Sequence, residues 1–169
     1  MPPPPRFEEV FASCAPMVWR TMRRLGLREA DVEDLAQEVF VVVHRRLPEF
    51  EGRSKVSTWV YGICVRVAAD HRKRAHVRYE SPAAEVPEPS VGPSQTDAFQ
   101  RTEARALLDA VLEQLDDDKR AVFVLYELEE LPMAEVAAAV GVPLQTAYSR
   151  LHAARRLVDQ AVTALGGEG

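Results

Sequence analysis

Four prolines, Pro82, Pro87, Pro89 and Pro93, fall within "ESPAAEVPEPSVGPSQTDAF", Glu80 to Phe99, a stretch with almost no large apolar side chain. Proline lacks the backbone donor that a helix or sheet interior needs. Without apolar surface to bury, nothing offsets the entropy of ordering such a segment. The sequence therefore predicts a flexible linker over 80–98, dividing the 169-residue chain into one unit at 6–79 and another at 99–163. At roughly 3 Å per extended residue, the linker could hold the two units tens of ångströms apart or let them meet.

On both sides of that break the apolar residues recur at helical spacing. Phe7, Val10, Phe11, Cys14, Met17, Val18 and Leu25 mark a helix from about Arg6 to Leu25, which Pro16 is expected to kink or interrupt. A second helix is predicted to start near Asp31 and to carry Leu35, Val39, Val42, Val43 and Leu47 before Pro48 closes it. Its "VFVVV" core is strand material by composition, but the flanks "DVEDLAQE" and "HRRL" continue the helical period. "PEFEGRSKVS", Pro48 to Ser57, reads as a loop, and "STWVYGICVRVAADHRKRAHVR" as a third helix burying Val60, Ile63, Val67 and Ala68.

Beyond the linker, Leu107, Leu108, Val111, Leu112 and Leu115 share one side of a helix from about Phe99 to Leu115. The acids Asp116 to Asp118 end it and cap the next helix, which carries Val122, Leu125, Tyr126 and Leu128. No strand pattern is present, so the fold class is all-α: two small helical domains joined by a proline-rich linker.

"AEVAAAVGVPLQTAYSRLHAARR", Ala134 to Arg156, then gives a short helix, a turn at Gly141 and a further helix. Gly141 suits the left-handed geometry of a tight turn, and Pro143 pre-sets the entry of the second helix of the pair. With Ala147, Leu151 and Ala154 facing inward, Gln145, Thr146, Tyr148, Ser149, His152 and Arg155 face outward, as a helix reading a major groove would require. The competing reading is a plain helical hairpin with a solvated polar face.

Charge is distributed unevenly. The whole chain carries −5, yet Arg66, Arg72, Lys73, Arg74 and Arg78 against Asp70 give +4 between Val60 and Tyr79. Arg150, Arg155 and Arg156 give +3 between Leu144 and Val158, while eight acids against Lys119 and Arg120 give −6 between Asp109 and Glu130. Two basic islands in an acidic chain point to local rather than global attraction for nucleic acid. Trp59 and Tyr61, with Phe50 in the loop before them, stand near the first island, and aromatics among cations suit splayed, stacked bases. The same aromatics would also serve as core.

Asp34, Gln37 and Glu38 share one helix face, which alone reads as solvated. No Gly-rich loop, nucleophile elbow or paired catalytic carboxylate is present, so no enzymatic activity and no cofactor are expected. Cys14 and Cys64 fit reduced core thiols of a cytoplasmic protein, and the four histidines make no ligand spacing, so no metal is expected. The N-terminus lacks a signal peptide's pattern and no apolar run approaches the length of a membrane span.

In order and spacing, "DVEDLAQEVF", "STWVYGICVRVAADHRKR" and "LDDDKRAVFVLYELEELPMAEVAAAVGVPLQTAYSRLHAARR" resemble the extracytoplasmic-function sigma factors of bacterial RNA polymerase, from about Phe7 to Val158. The resemblance implies a first domain that docks on core RNA polymerase through the helix at Asp31 to Leu47, with Asp34, Gln37 and Glu38 at the contact. It implies that the loop from Glu49 to Ser57 and the helix after it take the non-template strand of the minus-ten element. Phe50, Arg53, Ser54, Lys55, Trp59, Arg66, Arg72, Lys73 and Arg74 are the candidates there. It implies that Gln145, Thr146, Tyr148, Ser149, Arg150, His152 and Arg155 meet the minus-thirty-five element of promoter DNA as duplex. An anti-sigma factor that holds the chain inactive is the further partner implied.

Arg66 and Gly62 depart from the family's usual Asn and Arg, and Tyr148, His152 and Ala153 from its often basic or aromatic recognition residues, so neither element's sequence can be copied from a relative. Thr146, Ser149, Arg150 and Arg155 follow the usual pattern, and Arg150 has an alternative role bracing the domain interior. The rival reading is a helix-turn-helix regulator that acts on an operator without being a polymerase subunit.

Overall fold

The computed structural model describes residues 2–79 and 96–166, with side chains for 2–77 and 103–166. The expected linker at 80–98 lies outside the described residues except at its end, where the fourth helix already begins at Thr96. The first domain comprises α1 (Phe7–Arg24), α2 (Glu29–Arg46), a 3-10 turn (Leu47–Glu49) and α3 (Val56–Tyr79). The second comprises α4 (Thr96–Glu113), α5 (Asp117–Phe123), a π-helical turn (Val124–Leu128), α6 (Met133–Val140) and α7 (Leu144–Gly166). Among the described residues there is no strand, and "VFVVV" is helical.

Pro16 does not interrupt α1. It sits on the exposed side of the helix, as does Ala12, whose carbonyl loses its amide partner there. Water can satisfy that carbonyl, so the proline costs stability without breaking the helix. The opposite side buries Val10, Cys14, Met17, Val18, Thr21 and Met22. The second helix starts two residues earlier than Asp31, at Glu29, after an Arg28 that makes no side-chain cap. Asp31 instead lies in the first turn with Glu29, where carboxylates favour the helix dipole. Asp116 does cap α5, its carboxylate accepting the Lys119 amide at 2.9 Å. Leu107, expected inward with its neighbours, is exposed, whereas Val111, Leu112 and Leu115 are buried.

The two domains are packed on each other, and their buried residues form one core running from Val10 to Ala154. Helix α3 lies along α6, where Gly62 allows close approach: a Cβ there would stand 3.4 Å from the Ala139 carbonyl oxygen. A second joint forms at the C-terminus of α1. Arg120 of α5, only 8% exposed, donates from Nε to the Arg24 carbonyl at 2.7 Å, and Arg72 of α3 donates to the Leu25 carbonyl. Both cations sit at the negative end of the α1 dipole, on carbonyls that have no partner within the helix. Burial pulls the guanidinium pKa of each below its ordinary value, and for Arg120 the nearby Arg72 charge acts in the same direction.

Gly26 makes this joint possible. Its φ is +92°, and a Cβ would come within 2.5 Å of Arg120 Nη1. Replacing Gly26 with alanine is therefore expected to cost about 2 kcal/mol or more, from left-handed strain plus displacement of a buried, hydrogen-bonded cation. Gly52 has φ +73° but nothing within 4 Å, so Gly52→Ala should cost only about 1 kcal/mol. Urea titration of both variants compares them directly, and equal losses would show that Arg120 does not depend on that space.

Candidate nucleic-acid interface

The turn at Gly141 places α7 as a rigid rod on the second domain. Gly141 adopts φ 75° and ψ 37°, and the amides of Gly141 and Val142 both return to the Ala137 carbonyl, at 2.9 and 3.0 Å. Ala147, Leu151 and Ala154 seal α7 to the core. Gln145, Tyr148, Ser149 and His152 are exposed, Tyr148 at 44%, and Thr146 is half-buried. Arg155 is exposed but not idle: Nε donates to Glu127 at 2.6 Å, and the guanidinium lies 5.6 Å from the Tyr126 ring centre. Arg150 turns toward the domain, half-buried and 3.8 Å from Asp118. The candidates for duplex contact thus divide into a polar outer row and Arg150, which braces α7 against α5.

The candidates for single-strand contact occupy three different sides of α3. Phe50 and Trp59, ring centres 5.2 Å apart, form a half-buried aromatic pair. Ser54, Trp59 and Arg66 line a cleft of about 160 Å³ whose far wall is Ala138 and Ala139 of α6. Arg53 and Lys55 are exposed in the loop, Arg53 paired with Glu51 at 2.8 Å. Arg72 points away from the cleft to Leu25 and to Asp117, 3.2 Å from its Nε. Lys73 and Arg74 face α2 instead, across a groove of about 650 Å³ that Asp34 and Glu38 also line. Arg74 is 3.6 Å from Glu38 and His71 is 3.6 Å from Asp31, so this groove carries both charges. Gln37 is exposed on α2.

The tightest polar cluster was not foreseen from the sequence. Glu129, its side chain 3% exposed, accepts Arg20 Nε and Nη2 at 2.9 and 2.6 Å, Arg24 Nη1 at 3.0 Å and the Tyr61 hydroxyl at 2.8 Å. A local distortion aims it: the Glu129 amide bonds back five residues to Val124, and Glu130 takes φ 58°, unusual for a side chain with a Cβ. Burial opposes the Glu129 charge, but the hydrogen bonds from Arg20 and Tyr61 and the two nearby guanidinium charges outweigh it, holding the carboxyl below its usual pKa. The Tyr61 hydroxyl is pushed up, by burial first and then by its bond to Glu129. Cys14 and Cys64 are free and buried, and burial raises the Cys64 thiol.

A helix-turn-helix with a sealed inner face, joined to a helical domain bearing aromatics and cations, defines a two-domain DNA-binding factor. The family model for Sigma-70 region 2 matches residues 10–78, and that for Sigma-70, region 4 matches residues 105–158. The chain is 30% identical over 144 residues to the RNA polymerase sigma-H factor of Pseudomonas aeruginosa, covering 80% of this chain and 75% of that one. It is equally 30% identical, over 150 residues and 75% of that protein, to the ECF RNA polymerase sigma-E factor of Escherichia coli K12. The ECF RNA polymerase sigma factor SigE of Mycolicibacterium smegmatis matches at 30% over 158 residues, and there this chain spans only 60% of its relative's length. The fold is also that of the sigma factor RpoE solved with the anti-sigma factor NepR from Bartonella quintana, at TM-score 0.75 and 20% identity over 93% of this chain and 96% of that one. The chain belongs to the extracytoplasmic-function sigma factors of RNA polymerase. Sigma factors in general are not catalytic.

The lowered Glu129 pKa fixes the direction of a pH effect. A depressed carboxylate contributes stability that is full above its unfolded value, about 4.3, and lost as pH falls through the lower folded value. The stability difference between the wild-type chain and Glu129→Gln should therefore hold from about pH 8 to about pH 5 and shrink below about 4.3. Chemical denaturation across that range measures it; a difference undiminished near pH 3 would show that the charge of Glu129 is not what binds Arg20 and Arg24.

Proposed function

We propose that the two domains divide promoter recognition between an unwound and a paired segment of DNA, in the cytoplasm and as a subunit of the polymerase. The α2 face at Asp34, Gln37 and Glu38 docks on basic residues of the core enzyme. Phe50, Arg53, Ser54, Lys55, Trp59, Arg66, Lys73 and Arg74, with Arg72 once it is released from Leu25, take the minus-ten strand. Capturing a base from the duplex costs a few kcal/mol of unstacking, which the Phe50–Trp59 pair can offset by stacking. The outer row of α7, Gln145, Thr146, Tyr148, Ser149, His152 and Arg155, with Arg150 behind it, meets the minus-thirty-five duplex. The chain itself supplies binding; bond formation belongs to the polymerase. An anti-sigma factor, named in the solved complexes of similar folds, is the partner that would keep these surfaces covered.

The observation that carries this reading is the mounting of α7: buried small residues fix its inner side while its polar side stays exposed. A helix held this way presents side chains to a groove without reordering. The net charge of −5 fits the same reading, because a net acidic chain gains little from phosphate on its own and relies on the polymerase for that attraction. Tight promoter binding by the purified chain at ordinary salt, without polymerase, would instead favour an operator-binding regulator.

Run-off transcription over a promoter library, using core polymerase with and without the chain, tests the function; no added promoter-specific transcripts would end the reading. Given a responsive promoter, Arg155→Ala should weaken holoenzyme binding to related promoters nearly uniformly and lower the salt slope by about 1. Gln145→Ala should instead change which minus-thirty-five sequence is preferred, by about 1–3 kcal/mol at one position.

A further inference from the structure

Helix α6 stands against the side of α3 that carries Trp59 and Arg66, two of the proposed strand-capturing residues, while Lys73 and Arg74 lie on another side. Trp59, Ser54 and Arg66 face Ala138 and Ala139 across the cleft of about 160 Å³. Small-ligand pockets start near 300 Å³, and a water takes about 30 Å³, so the cleft has room for a few waters and not for a base with its sugar. Thr58, beside Trp59, donates to Glu135 of α6 at 3.1 Å, and Gly62 meets the Ala139 backbone. The Trp59 side of α3 is narrowed by the chain's own second domain, with Ser54 and Arg66 still exposed at the rim of the cleft, while most of the outer row of α7 stays exposed.

The hold on α6 combines apolar packing, with Met133, Val136 and Ala137 in the core that the two domains share, and a polar joint. The helix comes directly after the π turn and the left-handed Glu130, so the position of α6 is tied to that of Glu129. One carboxylate receives two arginines and a tyrosine from the first domain, with Arg20 and Arg24 still partly open to solvent. Breaking such a group leaves a carboxylate without its partners, so each state is favoured as a whole. The polar part of the joint is the part that a competing partner can replace most readily.

We propose that the chain is self-closing: Glu129, bound by Arg20, Arg24 and Tyr61, latches the second domain over the Trp59 side of α3, and Trp59 becomes available to a strand only when the latch releases. This rests on the promoter-binding function proposed for α3. Because a closed fraction reduces apparent affinity in proportion to the open population, the latch sets how much chain is needed to activate polymerase.

Two measurements on the full chain test it. Spin labels at Val41→Cys and Val162→Cys, both exposed positions, report the distance between domains, the native cysteines being buried. Wild type should give one narrow distance, and Glu129→Ala a broad, longer distribution with each domain's helical content retained. A broad wild-type distribution, or a narrow one unchanged in Glu129→Ala, overturns the latch. In run-off transcription, Glu129→Ala should reach half-saturation at a concentration at least about tenfold lower; an unchanged or higher one overturns the masking.

Should Glu129→Ala fold poorly, the pair Gly62→Cys and Ala139→Cys offers the converse test. Oxidised, it should be silent in transcription, and dithiothreitol should restore activity in the same sample; equal activity in both states overturns the masking. A wild-type chain that adds no transcripts defeats the promoter-binding function, and the masking with it, while the distances still decide whether the latch exists.

Discussion

One carboxylate anchors the polar part of the joint between the halves of this molecule. Glu129 is buried to 3% exposure and would be costly to ionise there alone, yet three side chains from α1 and α3 converge on its two oxygens. Removing two arginines and an acid from water is repaid only when geometry and additional hydrogen bonds are good. Here Arg20 binds both oxygens and Tyr61 completes the set. That convergence acts together with the apolar packing of Val136 and Ala137 and the Thr58–Glu135 bond in holding α6 beside Trp59. The Arg120 joint at the C-terminus of α1 works in the same sense, since Arg120 from the second domain takes the Arg24 carbonyl and Arg24's own side chain holds Glu129. The two joints share a residue and so reinforce each other.

The periodic parts of this fold were legible in the sequence because burial selects apolar residues at helical spacing. Val39 and Val43 in α2, Val60, Ile63 and Val67 in α3, and Ala147, Leu151 and Ala154 in α7 are buried as their spacing indicates. The turn at Gly141 was legible for a local reason, a glycine between two helical patterns that takes φ 75°. The Asp116 cap was legible for the same kind of reason.

The joint between domains was not legible, because it depends on residues far apart in the chain. In "ELEELP", Glu127, Glu129 and Glu130 look alike, and only the π turn and the left-handed Glu130 send Glu129 inward and leave Glu127 on Arg155. Arg20 and Arg24 read as the solvated end of an amphipathic helix, and Arg120 as one cation in an acidic run. Arg72 shows the same limit within a motif: it sits among Lys73 and Arg74 in sequence, yet one helical step turns it to Leu25 and Asp117. A charge count assigns such residues to solvent or phosphate, and tertiary contacts assign them to each other.

That reassignment commits part of both basic islands to internal partners while Arg66, Lys73 and Arg156 stay exposed. Arg20 and Arg24 are committed to Glu129, Arg72 and Arg120 to α1 carbonyls, Arg74 to Glu38, Arg150 to Asp118 and Arg155 to Glu127. Phosphate binding by any of them requires displacing an internal partner, so the favourable counterion release is set against a broken ion pair. For the exposed pairs that cost is small, about 1 kcal/mol or less, and a phosphate can take Arg155 or Arg74 readily. For Arg20, Arg24 and Arg120 it includes opening the interface. The arginines are thereby ranked: those on the rim are available on contact, Arg20, Arg24 and Arg120 only when the domains part, and Arg72 only when its bond to Leu25 within the first domain is broken.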